Sequence, residues 1–151
     1  MTELHIAGYA SVFGETDLMG DTVSRGAFAA SLLSATGKLP MLSGHKTDQP
    51  IGVWDRVVED FHGLFVEGRI IPGAPLADST ARLVREGAVT GLSIGYRTHR
   101  HTKSRQGRTL TELDLWEVSV VAFPMQRSAR LTYVGDTSLT ASLTLPKRIF
   151  A

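Results

Sequence analysis

The chain has 151 residues, a length that fits one domain, and a domain of that size typically buries roughly 70% of the surface its unfolded chain exposes. Its 42% hydrophobic and 21% charged residues are those of a globular protein, and a formal net charge of +1 excludes global attraction to nucleic acid or an anionic membrane. Cysteine is absent, which excludes disulfides, thiolate metal sites and a cysteine nucleophile and fits a reducing compartment. No apolar stretch reaches the length of a membrane span, and Met1 to His5 does not begin a signal peptide, so a soluble, cytoplasmic protein is expected.

Strand patterns dominate. Leu4 to Phe13 is β-compatible and ends at Gly14, and the following loop, Glu15 to Thr22, holds the turn residues Asp17, Gly20 and Asp21. Arg25 to Leu33 reads as a short helix, with Phe28, Leu32 and Leu33 at helical spacing and Gly37 as a stop. Leu39 to Leu42 and Ile51 to Val58 are predicted strands around a polar turn containing His45, Lys46, Thr47 and Asp48. Leu64 to Ile71 alternates as another strand. After the breakers Pro72, Gly73 and Pro75, Ala77 to Glu86 is the best helix candidate, with Ala77, Ala81, Val84 and Leu83 turned inward and Gly87 closing it. Two further strands, near Leu92 to Arg97 and Leu110 to Phe123, flank a charged loop. From Gly135 onward the chain is Ser/Thr-rich, which predicts a domain over 1–134 and a mobile tail or docking peptide over 135–151. Strands outnumber helices and no glycine-rich phosphate fingerprint follows a strand. The order predicts a mainly β, α+β fold: an antiparallel sheet or β-barrel core with two or three peripheral helices.

Thr90-Gly91-Leu92-Ser93-Ile94-Gly95-Tyr96 is the most telling segment. Alternation puts Gly91, Ser93 and Gly95 on one strand face and Leu92, Ile94 and Tyr96 on the other, so Ser93 stands on bare backbone. Glycine weakens a strand unless something must approach closely, and a substrate chain over a nucleophile is one such thing. Gly91 and Gly95 are therefore substrate-groove candidates; the alternative is a bend packed against another strand. Glu117 is the second unusual residue. It shares a predicted face with Leu115, Ser119 and Val121 in a strand that is apolar on both sides, while Trp116, Val118 and Val120 point the other way. A carboxylate there is costly unless paired. It orients a histidine, or else it lies at a barrel rim or bonds a structural arginine. Of the five histidines, only His45 joins an apolar lead-in to a following Ile-Gly strand, although a histidine in a turn is commonly a surface residue. Ser93, His45 and Glu117 together supply a nucleophile, a base and an orienter, the logic of acyl transfer.

Taken in order, Gly8-Tyr9-Ala10-Ser11-Val12-Phe13-Gly14 with Asp17 and Gly20-Asp21, then Gly26-Ala27-Phe28, His45 with Pro50-Ile51-Gly52, Gly91 to Tyr96, and Glu117 to Val121 followed by Pro124, resemble the prohead (capsid maturation) proteases of tailed phages and phage-like particles. That family is similar in fold and mechanism to the herpesvirus assemblin proteases, and the likeness covers roughly Ile6 to Tyr133. The resemblance implies Ser93 as nucleophile, His45 as general base and Glu117 as third member. The herpesvirus enzymes have a second histidine at that place, so Glu117 matches the phage pattern. Lys46 departs from the acidic residue the family often carries after its histidine. By the same similarity, the loop Pro124 to Ser128 supplies the oxyanion hole, with Met125, Gln126 and Arg127 as candidates and Arg127 as its brace or as a solvated charge. A β-barrel core, a dimer-capable surface, and capsid-protein and scaffold segments as substrates are implied too, along with self-cleavage and a location in the bacterial cytoplasm inside assembling proheads. The competing reading is a non-enzymatic capsid or scaffold module.

The loop Arg97 to Arg108 contains no acid. A basic hairpin tip is usually solvated; contact with acidic scaffold or packaged nucleic acid is the alternative, and it would be strongly salt-dependent. His99 and His101 alternate onto one face, but two ligands without a third do not make a metal site, so neither metal nor cofactor is expected.

Overall fold

The computed structural model describes residues 2–139 and 141. Among them the elements run β1 (Leu4–Val12), β2 (Asp21–Val23), α1 (Ala29–Ser34), β3 (Leu39–Ser43), β4 (Gly52–Glu59), β5 (Gly63–Ile70), α2 (Ala77–Arg85), β6 (Gly91–Ser104), β7 (Gly107–Val121) and β8 (Leu131–Gly135). The long strand β7 is the hub. One of its edges takes β2 and then β3, both parallel to it, and the other takes β6 antiparallel along its whole length. From β3 the sheet continues antiparallel through β4, β5 and β1 to β8.

The sheet is thus mixed and unclosed, which corrects the expected antiparallel barrel. β2 and β3 reach β7 over long connections and arrive parallel, a pairing that hairpin-by-hairpin reading cannot foresee. The two ends of the sheet, β6 and β8, meet at an isolated bridge between Gly91 and Arg130. Two main-chain bonds hold it, Leu92 N–H to Ala129 O at 2.9 Å and Leu131 N–H to Thr90 O at 2.8 Å. Beyond it β1 and β6 face each other without a ladder.

The core explains why these strands form. Leu4 and Ile6 of β1, Leu64 and Val66 of β5, Met41, Trp54, Leu92, Val118 and Val120 all pack into one buried cluster. Burying each such side chain contributes roughly 1.5–3 kcal/mol. The Trp54 indole N–H is not left unpaired: it donates to Val118 O at 3.1 Å.

Several local expectations change. The predicted helix from Arg25 begins only at Ala29, because the preceding residues close tight turns, with Ala27 N–H donating to Ser24 O at 3.1 Å, and these turns bury Ala27 and Phe28. α2 buries Ala77, Thr80, Ala81 and Val84, but Leu83 is about half exposed. The segment 15–22, expected as loop, ends in β2. The charged loop Arg97 to Arg108 is mostly the two-stranded ribbon of β6 and β7 around a turn at 105–106. Gly135, where a tail was expected to begin, closes β8, and residues 140 and 142–151 of that tail lie outside the described residues. In β7 the register shifts by one at Trp116, since Gly95 pairs with Glu117 and Tyr96 with Leu115. This bulge leaves Trp116 57% exposed and puts Leu115 in the core, not beside Glu117 as plain alternation predicts.

Candidate active site

β7 lies between the two strands that bring the other site residues. On one side Leu42 of β3 is opposite Ser119, and on the other Ser93 of β6 is opposite the same Ser119. β3 ends in the turn Ser43-Gly44-His45-Lys46, closed by Lys46 N–H to Ser43 O at 3.2 Å. Gly44 and His45 both have positive φ, 57° and 61°, the type I′ geometry. For a residue with a Cβ that conformation is strained, and such strain persists only where surrounding contacts over-determine it. Here Gly44 N–H donates to Val120 O at 3.1 Å, His45 N–H donates to Ser119 Oγ at 3.0 Å, and Thr80 Oγ1 of α2 bonds Ser43 Oγ at 3.1 Å. The turn is folded back over β7.

That fold-back brings together three residues far apart in the chain. His45 Nε2 is 3.1 Å from Ser93 Oγ, and His45 Nδ1 bonds Glu117 Oε1. Glu117 is buried on the face shared with Ser93 and Ser119, and its other oxygen, Oε2, accepts from Ser119 Oγ at 2.8 Å. The hydrogen bond to Glu117 raises the His45 pKa above its ordinary 6.5; burial opposes the rise and the charge of Glu117 adds to it. The imidazole is still 42% exposed, so a molecule in solvent can reach it. Chemically this is a hydroxyl beside a basic nitrogen whose other nitrogen is held by a carboxylate.

The face around Ser93 is less bare than alternation suggested. A Cβ at Gly95 would fall 2.8 Å from Glu117 Cγ and Cδ, and one at Gly91 would fall 2.7 Å from the Pro124 ring. At both glycines neighbouring protein atoms occupy the place a Cβ would take.

A cavity of about 90 Å³ adjoins Ser93 at the unladdered seam between β1 and β6. Ala10, Ser11, Met19, Tyr96, Met125 and Gln126 line it, with Asp17 and Asp21. Burial pushes the Tyr96 hydroxyl pKa up, and Asp21 and Asp17 push it further. Asp21 is itself held below the usual carboxylate range by Arg108, whose Nε and Nη2 meet its two oxygens at 2.9 and 2.8 Å. A larger cleft of about 590 Å³, between α1, Trp54 and Trp116, contains none of His45, Ser93 and Glu117.

Of the loop candidates, Met125 and Gln126 border the Ser93 cavity, while the Arg127 side chain is exposed. Arg130 braces this loop: its Nε donates to Arg127 O at 3.1 Å and its Nη1 donates to Thr90 Oγ1 at 2.8 Å. Gln126 is a latch: its Oε1 accepts Val12 N–H at 2.6 Å, and its Nε2 donates to Val12 O at 2.9 Å and Glu15 O at 3.0 Å. Sequence reasoning assigned no role to Ser119, Thr80 or Arg130. For Ser119 a signal existed, a serine two residues from Glu117 on one face of a buried strand.

No three histidine, aspartate or glutamate side chains gather as a metal site among the described residues, and no helix there is long and apolar enough to cross a membrane. Residues 1–142 match the family model of the caudovirus prohead serine proteases. The chain is 38% identical over 126 residues to the prohead protease of Enterobacteria phage HK97, a match that covers 81% of this chain and 56% of that protein's length. Its fold is similar to that of the Kaposi's sarcoma-associated herpesvirus protease, with a TM-score of 0.64, 17% identity, and 89% of this chain and 65% of that one covered. It is also similar to the capsid assembly protease of bacteriophage T4, with a TM-score of 0.61, 14% identity, and 78% and 80% covered.

Proposed function

Because this chain belongs to the caudovirus prohead serine protease family, we propose that it is a serine endopeptidase cutting capsid-protein and scaffold segments, and its own chain, during maturation of a phage-type prohead. The observation that carries this reading is the bonded series Ser93 Oγ, His45 Nε2, His45 Nδ1 and Glu117 Oε1. A serine hydroxyl is a weak nucleophile until a base removes its proton. His45 Nε2 takes that proton as Ser93 Oγ attacks the scissile carbonyl, and Glu117 stabilises the imidazolium that forms. The proton then passes to the leaving amine, and water, activated by the same nitrogen, releases the acyl group from Ser93.

The negative oxygen of the tetrahedral intermediate needs fixed N–H donors. The main chain at Met125, Gln126 and Arg127 is our candidate, since Met125 and Gln126 border the Ser93 cavity and Gln126 pins the loop to β1. The enzyme acts as a dimer or higher assembly inside the assembling prohead, in the cytoplasm of the producing bacterial cell. The basic 97–108 ribbon is a solvated surface rather than a nucleic-acid site.

The test is co-expression of the protein and of Ser93→Ala with the cognate capsid protein, following masses over time. Processing that stops in Ser93→Ala supports the reading, and unchanged processing eliminates it in favour of a binding module.

A further inference from the structure

We propose that Ser119 is a positioning residue whose single hydroxyl orients the Glu117 carboxylate so that Oε1 stays on His45 Nδ1. The inference rests on the protease reading for its catalytic consequence, but not for its geometry.

The main-chain N–H of His45 can only donate, and it points at Ser119 Oγ from 3.0 Å. A serine hydroxyl has one hydrogen, so an oxygen accepting that bond keeps its own hydrogen for another partner. The partner is Glu117 Oε2 at 2.8 Å. Ser119 is fully buried, so no water competes for the hydroxyl. With Oε2 engaged as an acceptor, Oε1 is the oxygen that meets His45 Nδ1. An ionised carboxylate accepts only, so Nδ1 carries the hydrogen and Nε2 is left with its lone pair toward Ser93 Oγ. The loop of bonds begins and ends on one residue: the His45 backbone, through Ser119, orients the carboxylate that accepts from its own ring.

The same hydroxyl has a second effect. It anchors the backbone of the left-handed residue His45, φ 61°, to the centre of β7. Ser119 is opposite Ser93 in the ladder, so the anchor is attached to the strand pair that carries the nucleophile. One group thereby couples the placement of base, carboxylate and serine. It touches no reacting atom.

The experiment uses full-length protein labelled with 15N-histidine, with Ser93→Ala to prevent self-cleavage, and reads the His45 ring tautomer from two-bond 1H–15N spectra. With Ser119 intact the neutral ring is expected as the Nδ1–H form. Ser119→Ala is expected to populate the Nε2–H form, and so is the near-isosteric Ser119→Cys, whose thiol is a weak donor. Ser119→Thr, which keeps the hydroxyl, restores the Nδ1–H form. With Ser93 present, Ser119→Ala should lower kcat on the order of tenfold to a hundredfold, with KM changed little. An unaltered tautomer and unaltered kcat in folded Ser119→Ala or Ser119→Cys overturn the proposal. A tautomer change in the Ser119 variants, together with no cleavage of the cognate capsid protein by the chain with Ser93 and Ser119 both intact, supports the Ser119 network and overturns the protease reading instead.

Discussion

Gly95 lies directly opposite Glu117 in the β6–β7 ladder, and the place a Cβ would occupy on residue 95 is already filled by the Glu117 side chain, 2.8 Å from its Cγ and Cδ. The glycine is the room in which the carboxylate turns toward His45. Gly95→Ala is therefore expected to displace Glu117, which is the more flexible partner, and to leave the strand pairing intact. Misplacing a group by about 1 Å can cost on the order of 100-fold in rate. A kcat loss of that size with little change in thermal midpoint is expected.

Gly91→Ala should behave differently. Its Cβ meets the Pro124 ring at 2.7 Å and Val121 O at 2.9 Å, groups that cannot rotate away. Overpacking of that kind typically costs about 1–3 kcal/mol. Denaturant unfolding should show a lowered midpoint at Gly91→Ala and not at Gly95→Ala.

Glu117→Gln replaces an acceptor-only group by one that also donates, so it can present an N–H where Nδ1 or Ser119 must donate. By analogy with amide substitution in a serine, histidine and acid triad, a loss on the order of 10,000-fold in kcat is expected with the fold kept. Cleavage at the native rate would remove Glu117 from the mechanism.

The raised pKa of His45 has two opposite consequences for pH dependence. In its proposed role as general base the ring must be neutral, so activity falls as pH drops through the raised value, and the acid limb of kcat/KM should have its midpoint above 6.5. The stabilising contribution of the His45–Glu117 bond runs the other way. It is fully present below the unfolded value, about 6.5, and is lost as pH rises through the folded one. Glu117→Gln should move the acid limb down, because the largest cause of the shift is gone. A limb that stays in place would mean that His45 does not set it.

Gln126→Leu keeps a similar volume but deletes three hydrogen bonds to Val12 and Glu15. Leaving the Val12 main chain without these partners costs about 1–3 kcal/mol where it is buried. The loop beside Ser93 should loosen as well, lowering kcat. A stability loss with normal kcat would show that the loop takes no part in binding the oxyanion.

Much of the site was legible because it is written in local pattern. A serine between two glycines in an apolar strand, a carboxylate in a strand apolar on both faces, and a histidine delivered by a strand to a turn each break a rule that the rest of the chain keeps. Alternation also put Glu117 and Ser119 on one face, as they are. It failed at Trp116, where one extra residue reverses the faces, since a bulge depends on the register with β6 and has no signature within β7 alone. The glycines are only half legible for a related reason. A missing side chain reveals that something comes close, but not what.

The sequence by itself determined the residue types, their order and the two-residue period that puts each on a face, because these depend only on the chain's own backbone geometry. Tertiary structure alone decided that His45 would meet Ser93, 48 residues on, and Glu117, 72 residues on. That meeting depends on β3 and β6 flanking β7, one parallel and one antiparallel, and on a left-handed turn held down by Ser119. Pairing between distant strands is set by the burial of the whole core, and no local pattern encodes it.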